Sequence, residues 1–244
     1  MCAVAVQAAL GHPEESAGSA CRLVHELEPP LNAGRSRYRG RARTCLARPH
    51  GDSHRESELP QAYNGVPASE VRSATGARRL GIEKVGGVVC RGVLLDLLGQ
   101  SARLEAGRAI TASDLQRALR EVGTELHPGD AALIRTGWLA RFDERDLTWY
   151  EGEPGIDLDA ARWLADQGVV LVGADNFAVE VVPAASGEPL PVHLALLQER
   201  GVYLLELVDL EPLARAAVST FTFILAPLRI TGGVASPVNP LAII

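Results

Sequence analysis

Long apolar runs are missing from this sequence: nowhere in its 244 residues does one reach the length of a membrane span, so no membrane partner is expected. Positive charge is short as well. A net charge of −6 argues against nucleic acid as the main partner. The four cysteines (Cys2, Cys21, Cys45, Cys90) form no C-x-x-C pair and no dense framework, which points to a reduced, cytoplasmic compartment. There is no G-x-G-x-x-G after a strand, no G-x-x-x-x-G-K-[ST] and no G-x-S-x-G. Nucleotide binding by those loops and a serine nucleophile on an elbow therefore have no support. The opening MCAVAVQAAL lacks a basic segment and runs straight into GHPEES, so it does not read as a secretory signal.

What is present describes an ordinary globular protein, with 47% hydrophobic and 22% charged residues. The texture changes near residue 62. Seven arginines crowd between Arg35 and Arg55, three of the four cysteines lie before residue 46, and apolar periodicity is almost absent. Residues 1–61 read as a basic, disordered or aberrant leader, and 62–244 as the folded domain.

Within that domain, strands are expected in VGGVVCRGVLLDLL (85–98), in AALIR through Ile134, in VVLVGAD (169–175), in VYLLEL and in TFTFILAPL. Helices are expected from Thr111, an N-cap supported by Asp114, to Gly123; over DLDAARWLADQG, closed by Gly168; and over PVHLALLQERG, with Pro191 in the first turn. Residues 141–157 read as a polar loop with aromatics, and the tail after Arg229 as a glycine- and proline-punctuated segment. Strands alternating with helices give an α/β domain with at least partly parallel pairing.

Three strands end on a carboxylate: Asp96, Asp175 and Glu206. Ligands bind at such ends in open α/β sheets, although acids there also cap helices and hold loops. Glu206, between Leu205 and Leu207, is the sharper candidate, because a buried carboxylate needs a partner, a proton or a metal. His193 begins an apolar helix face and could share one site with Glu206, giving a nitrogen and an oxygen that zinc or manganese would accept. Cys90 reads as a small core residue, His127 as a turn residue, and Gly232–Gly233 as a turn or a bare-backbone approach to a ligand. In the leader, HGDSHRE sets His50, His54 and Glu56 at a spacing that could hold a metal ion.

The stretches GARRLGIEKVGGVVCRGVLLD, PGDAALIRTGW, VGADNFAVE, PLPVHLALL, YLLELVDLEPLA and FILAPLRITGGVASPVNPLAI occur in one order. Over residues 63–244 they resemble the cyclase family of metal-dependent hydrolases, which includes the bacterial kynurenine formamidases. The resemblance implies a swivelling β/β/α-type fold with a mixed central sheet, a homodimer or homotetramer, and one or two zinc or manganese ions. It also implies a small-molecule substrate, an amide or cyclic amide such as an N-formyl arylamine. On the family's HxGTHxDxxxH motif, His50 and His54 match the first two histidines, Glu56 takes the aspartate's place, and Pro60 stands where the last histidine belongs. His193 and Glu206 match the later ligands. Asp175 and Glu180 match a stretch with a structural or substrate-side role. Apart from the resemblance, the loop RFDERDLTWYEGEPGID offers Trp149 and Tyr150 to shape specificity, although aromatic loop residues also simply pack.

The implied metal shell is His50, His54, Glu56, His193 and Glu206, with Glu206 and His54 as the catalytic pair. Loss of the last histidine implies weak turnover, or a non-catalytic relative serving as a binding or oligomeric scaffold. Read one base later, the codons for RPHGDSHRE also permit His-Thr-Gly-Thr-His-Ile-Glu, so a shifted frame over part of 1–61 is a further expectation, which the DNA would test.

Overall fold

A computed structural model describes residues 6–7, 22–23, 61–71, 76–144 and 152–244. Two short strands lie in the first stretches, β1 (Val6–Gln7) and β2 (Arg22–Leu23); the rest of residues 1–60 is outside the described residues. A small hairpin follows, β3 (Gln61–Ala62) with β4 (Val66–Pro67). The main run is β5 (Val88–Asp96), β6 (Ala109–Ile110), α1 (Ala112–Val122), β7 (Ala131–Arg135), α2 (Leu139–Asp143), β8 (Gly155–Ile156), α3 (Leu158–Asp166) and β9 (Leu171–Ala174). It ends with α4 (Pro191–His193), which continues as a π-helical segment (Leu194–Arg200), then β10 (Tyr203–Leu205), α5 (Glu211–Arg215), β11 (Thr220–Leu225) and β12 (Leu241–Ile243).

The principal sheet runs β1-β10-β9-β7-β5-β11-β12, with β2 beside β5. Strands β10, β9, β7 and β5 are parallel, while β1, β11, β12 and β2 pair antiparallel. The result is a mixed α/β architecture, as the alternating pattern requires. The central strands read as continuous apolar runs because both of their faces are covered. Val93, Leu95, Ile134, Val172 and Leu204 pack under α1, α3 and the 191–200 helix; Leu94, Leu133, Leu171, Leu205, Phe221 and Phe223 form a second core on the other face. Each such side chain, removed from water, contributes roughly 1.5–3 kcal/mol.

The caps expected on α1 form, and α3 adds one beyond those read from the sequence. Thr111 and Asp114 make a reciprocal capping box on α1, and Gly123 ends it in the left-handed region. The Asp157 side chain accepts from Ala160 N at 2.7 Å and starts α3. α2 and β8 form where residues 141–157 read as a loop, and three further elements depart from expectation. The third helix widens into a π-helix directly after His193, α5 forms on EPLAR, and the tail's LAI adds a strand to β11. Gly232–Gly233 is a turn, Gly233 N donating to Ile230 O at 2.8 Å, and it is sewn to the 77–82 segment through Ala77 N and Ile82 N.

Candidate active site

Parallel neighbours β9 and β10 end side by side, and each delivers an acid: Asp175 directly after β9, Glu206 directly after β10. The helix that returns the chain from one to the other carries His193 in its first turn. This topology puts the histidine against Glu206. His193 Nε2 lies 3.3 Å from Glu206 Oε1, and on the other side of the ring Nδ1 donates to Glu180 Oε1 at 2.5 Å. Glu180 also accepts the backbone N–H groups of Val192 and His193, both at 3.1 Å, so one carboxylate caps the helix and orients its histidine. A carboxylate behind Nδ1 is the arrangement that leaves Nε2 facing outward as a ligand. Burial alone would lower the pKa of His193. The hydrogen bonds and charges of Glu180 and Glu206 outweigh it and lift the imidazole to about 9.

The loop bearing Glu180 is held from beneath. Glu153, 1% exposed, accepts from Phe177 N at 2.8 Å and Ala178 N at 2.6 Å. Asn176, also buried, donates to Pro154 O at 2.6 Å and accepts from Val179 N at 3.0 Å. Asp175 binds elsewhere: Thr136 N and Oγ1 and Gly137 N all donate to its carboxylate, at 2.5–2.8 Å. Gly137 can present that N–H because it sits at φ +71, where the Ala102 carbonyl would collide with a side chain.

Residues in the left-handed region without being glycine are costly, about 1–3 kcal/mol each. Val179, Leu190 and Leu207 occupy it, beside Glu180, at the start of the His193 helix, and beside Glu206. The backbone is bent at the shoulder of each member of the cluster.

Of the residues singled out from sequence, His193, Glu206 and Glu180 come together, while Asp175 is committed to Thr136 and Gly137. His50, His54, Glu56, Trp149 and Tyr150 lie outside the described residues. Asp96 forms an ion pair with Arg135 at 2.7 Å, and Arg135 also grips Glu211. Cys90 is buried in β5, and His127 is an exposed turn residue, as expected. Sequence reasoning missed Glu153, Thr136 and Asn176. Only the acid in EGEPGI, next to a buried apolar Ile156, hints at the first. Among the described residues, no group of three His, Cys, Asp or Glu side chains could hold a metal ion. A hollow of about 330 Å³ bounded by Val181, Val182, Pro183, Pro189 and Leu190 has Glu180 in its wall.

Burial pushes Asp175 up to about 6, against the pull of its three hydrogen bonds. Burial likewise pushes Glu153 up to about 7; the Phe177 and Ala178 amides oppose this, and the charges of Glu206 and Asp175 add to it. A carboxyl whose native pKa exceeds its unfolded value keeps its proton in the fold after the unfolded chain has lost it. Stability therefore falls as pH rises from about 4 to 7. A tenfold difference in proton affinity between the two states is worth about 1.4 kcal/mol, so the metal-free protein is expected to show a lower urea midpoint at pH 7.5 than at pH 5. His193, raised to about 9, adds to the fall above about pH 6.5, while Asp114 and Glu211, whose pKa values lie below the usual carboxylate range, lose their contributions only at more acid pH and do not mask the trend. An equal or higher midpoint at pH 7.5 would mean that Asp175 and Glu153 are not held as described.

The Cyclase family matches the chain at residues 70–181. A solved structure described as a novel cyclase is 36% identical, with a TM-score of 0.68 over 76% of this chain and 64% of that one. An isatin hydrolase bound to the product analogue thioisatinate is 23% identical, with a TM-score of 0.56 over 71% of this chain and 65% of that one. Isatin hydrolase A from Labrenzia aggregata, bound to benzyl benzoate, is 22% identical, with a TM-score of 0.55 over 70% and 67%. These last two likenesses are of fold. The chain thus spans a little under two thirds of the first two solved relatives. No curated protein matches it.

Proposed function

We propose that this chain, whose residues 70–181 belong to the cyclase family, is a metal-dependent hydrolase of an amide or cyclic amide, its substrate an N-formyl arylamine of the arylformamidase type. One observation carries the reading: a buried surplus of carboxylate. Glu180 and Glu206 flank a single imidazole, and Glu153 lies close enough to feel the charge of Glu206. A cluster of that sign, withdrawn from water, calls for a cation. His193 Nε2 and Glu206 are the donors the described region offers, a nitrogen and an oxygen suited to zinc or manganese. His50, His54 and Glu56 would complete the shell from the leader. With a divalent ion held there, these residues would gain its Lewis acidity, which would activate water and polarise the substrate carbonyl.

The protein's own share of the work is orientation and proton handling. Glu180 fixes the ring so that Nε2 faces Glu206. Glu206, at the open end of β10, is placed to hold a proton on its way to the leaving amine. Trp149 and Tyr150 would shape substrate specificity, and a homodimer or homotetramer in the cytoplasm is the assembly in keeping with this reading. With Pro60 where the family has a histidine, turnover is expected to be slow.

The test is elemental analysis of the purified protein together with hydrolysis of an N-formyl arylamine and of isatin, before and after chelation. Metal bound per chain, with activity lost to chelator and restored by zinc or manganese, supports the reading. A folded protein that takes up no metal and hydrolyses neither compound overturns it. That outcome favours a non-catalytic scaffold.

A further inference from the structure

Glu153 raises a question of its own. A neutral acceptor could satisfy two amides, yet a carboxylate is buried there beside other acids, at a cost. Its backbone is tied into the same loop, with Glu153 N to Val182 O at 3.0 Å and Val182 N to Glu153 O at 3.1 Å. The stretch 176–182 is thus fastened to 153–154 at both ends: by the Glu153 carboxylate and Asn176 at one, and by this bridge at the other. Asn176 reaches further, its backbone carbonyl accepting Leu207 N at 2.9 Å, one residue past Glu206. Glu180 sits in the middle of the fastened stretch and touches His193.

We propose that Glu153 and Asn176 are positioning residues, which set Glu180 under His193 and register His193 against Glu206. The inference rests on the reading of His193 and Glu206 as the working pair. Neither Glu153 nor Asn176 is hydrogen-bonded to His193; Glu153 also acts on Glu206 through its charge, so the influence carried by the loop is the one read at the amides of Val192 and His193. Once ionised, above about pH 7, Glu153 holds its two amides about twice as strongly as a neutral oxygen would. The left-handed Val179 explains why such strength is needed: the segment would otherwise relax, carrying Glu180 with it.

Amide hydrogen exchange on the metal-free full chain separates this from a purely local structural role. In Glu153→Gln, the amides of Phe177 and Ala178 lose their charged acceptor and must exchange faster in any case. The proposal expects the amides of Val192 and His193, whose acceptor is Glu180, to accelerate as well, by about tenfold or more. Strands β7 and β9 should stay protected. Mn²⁺ affinity by calorimetry is expected to fall about 10- to 100-fold, the range for residues that orient a ligand. Glu180→Gln should give the same pattern at Val192 and His193 without disturbing Phe177.

If Glu153→Gln accelerates only Phe177 and Ala178, or neither, the proposal is overturned. Should that variant fail to fold, Asn176→Ser is read by the same criterion at Val192 and His193. A wild-type protein that binds no Mn²⁺ sinks the hydrolase reading while leaving the exchange result to decide this one.

Discussion

Alanine at Gly155 is expected to disable the site through the backbone of Glu180, without touching His193 or Glu206 by any hydrogen bond. A Cβ there would overlap the carbonyl of Glu180 and stand 2.5 Å from Val181 N, both backbone atoms with no flexible end to yield. Gly155 is also held from the other side, paired with Ala109 and donating to Arg108 O at 3.2 Å. The strain therefore falls on Glu180. Overpacking of this kind costs about 1–3 kcal/mol, and in a chain of this size each kcal/mol is worth about 2–4 °C of melting temperature. A drop of roughly 5–10 °C is expected, together with loss of divalent-metal affinity as Glu180 leaves His193. Gly152, three residues earlier, is the control: its Cβ would meet only Val182 O at 3.5 Å, an ordinary contact. Gly152→Ala should melt within a degree or two of wild type. Equal melting and equal metal content in the two variants would show that the 155–180 contact does not govern the site.

The second large effect is at His193. Removing the imidazole leaves Glu180, 1% exposed, with only the Val192 and His193 amides, and takes from Glu206 the ring nitrogen that faces it. Breaking such a buried pair on one side costs about 3–5 kcal/mol, and with it goes the sole nitrogen ligand of the described region. His193→Ala is expected to bind no metal and to lose at least ~10²-fold in hydrolysis, the upper figure for residues that merely orient a ligand. His127→Ala provides the contrast. That side chain is half exposed and meets only Glu125, so stability and activity should not change measurably. Metal retained at one ion per chain in His193→Ala would move the site away from β10 and require a different reaction centre.

Much of this architecture is legible in the letters. Thr111 with Asp114, Asp157 before an apolar stripe, and the strands of VVLVGAD and VYLLEL carry local signals that the tertiary structure has no reason to override. The strand-end acids could be found too, because an acid closing a buried strand is visible in one dimension. Their division of labour could not. Asp175 and Glu206 look alike on paper, yet Thr136 and Gly137 claim the first, and the second is left for His193. That outcome depends on which loop lies over which strand end. Glu153 is harder still, since its partners are backbone amides twenty-four and twenty-five residues away, and amides carry no sequence signature. The π-helical segment after His193 has no signal in LALLQER that we can identify.

The shoulder of the cluster has a kinetic meaning. Every contact that ties Glu153, Asn176, Glu180, His193 and Glu206 together is made within residues 153–207, whereas β5 must wait for β11 more than a hundred residues later. Closing a short loop forfeits less chain entropy than closing a long one. The β8-to-β10 half of the molecule can thus collapse onto itself while the antiparallel edge is still open. Its acids would meet early, before β11 has joined the sheet.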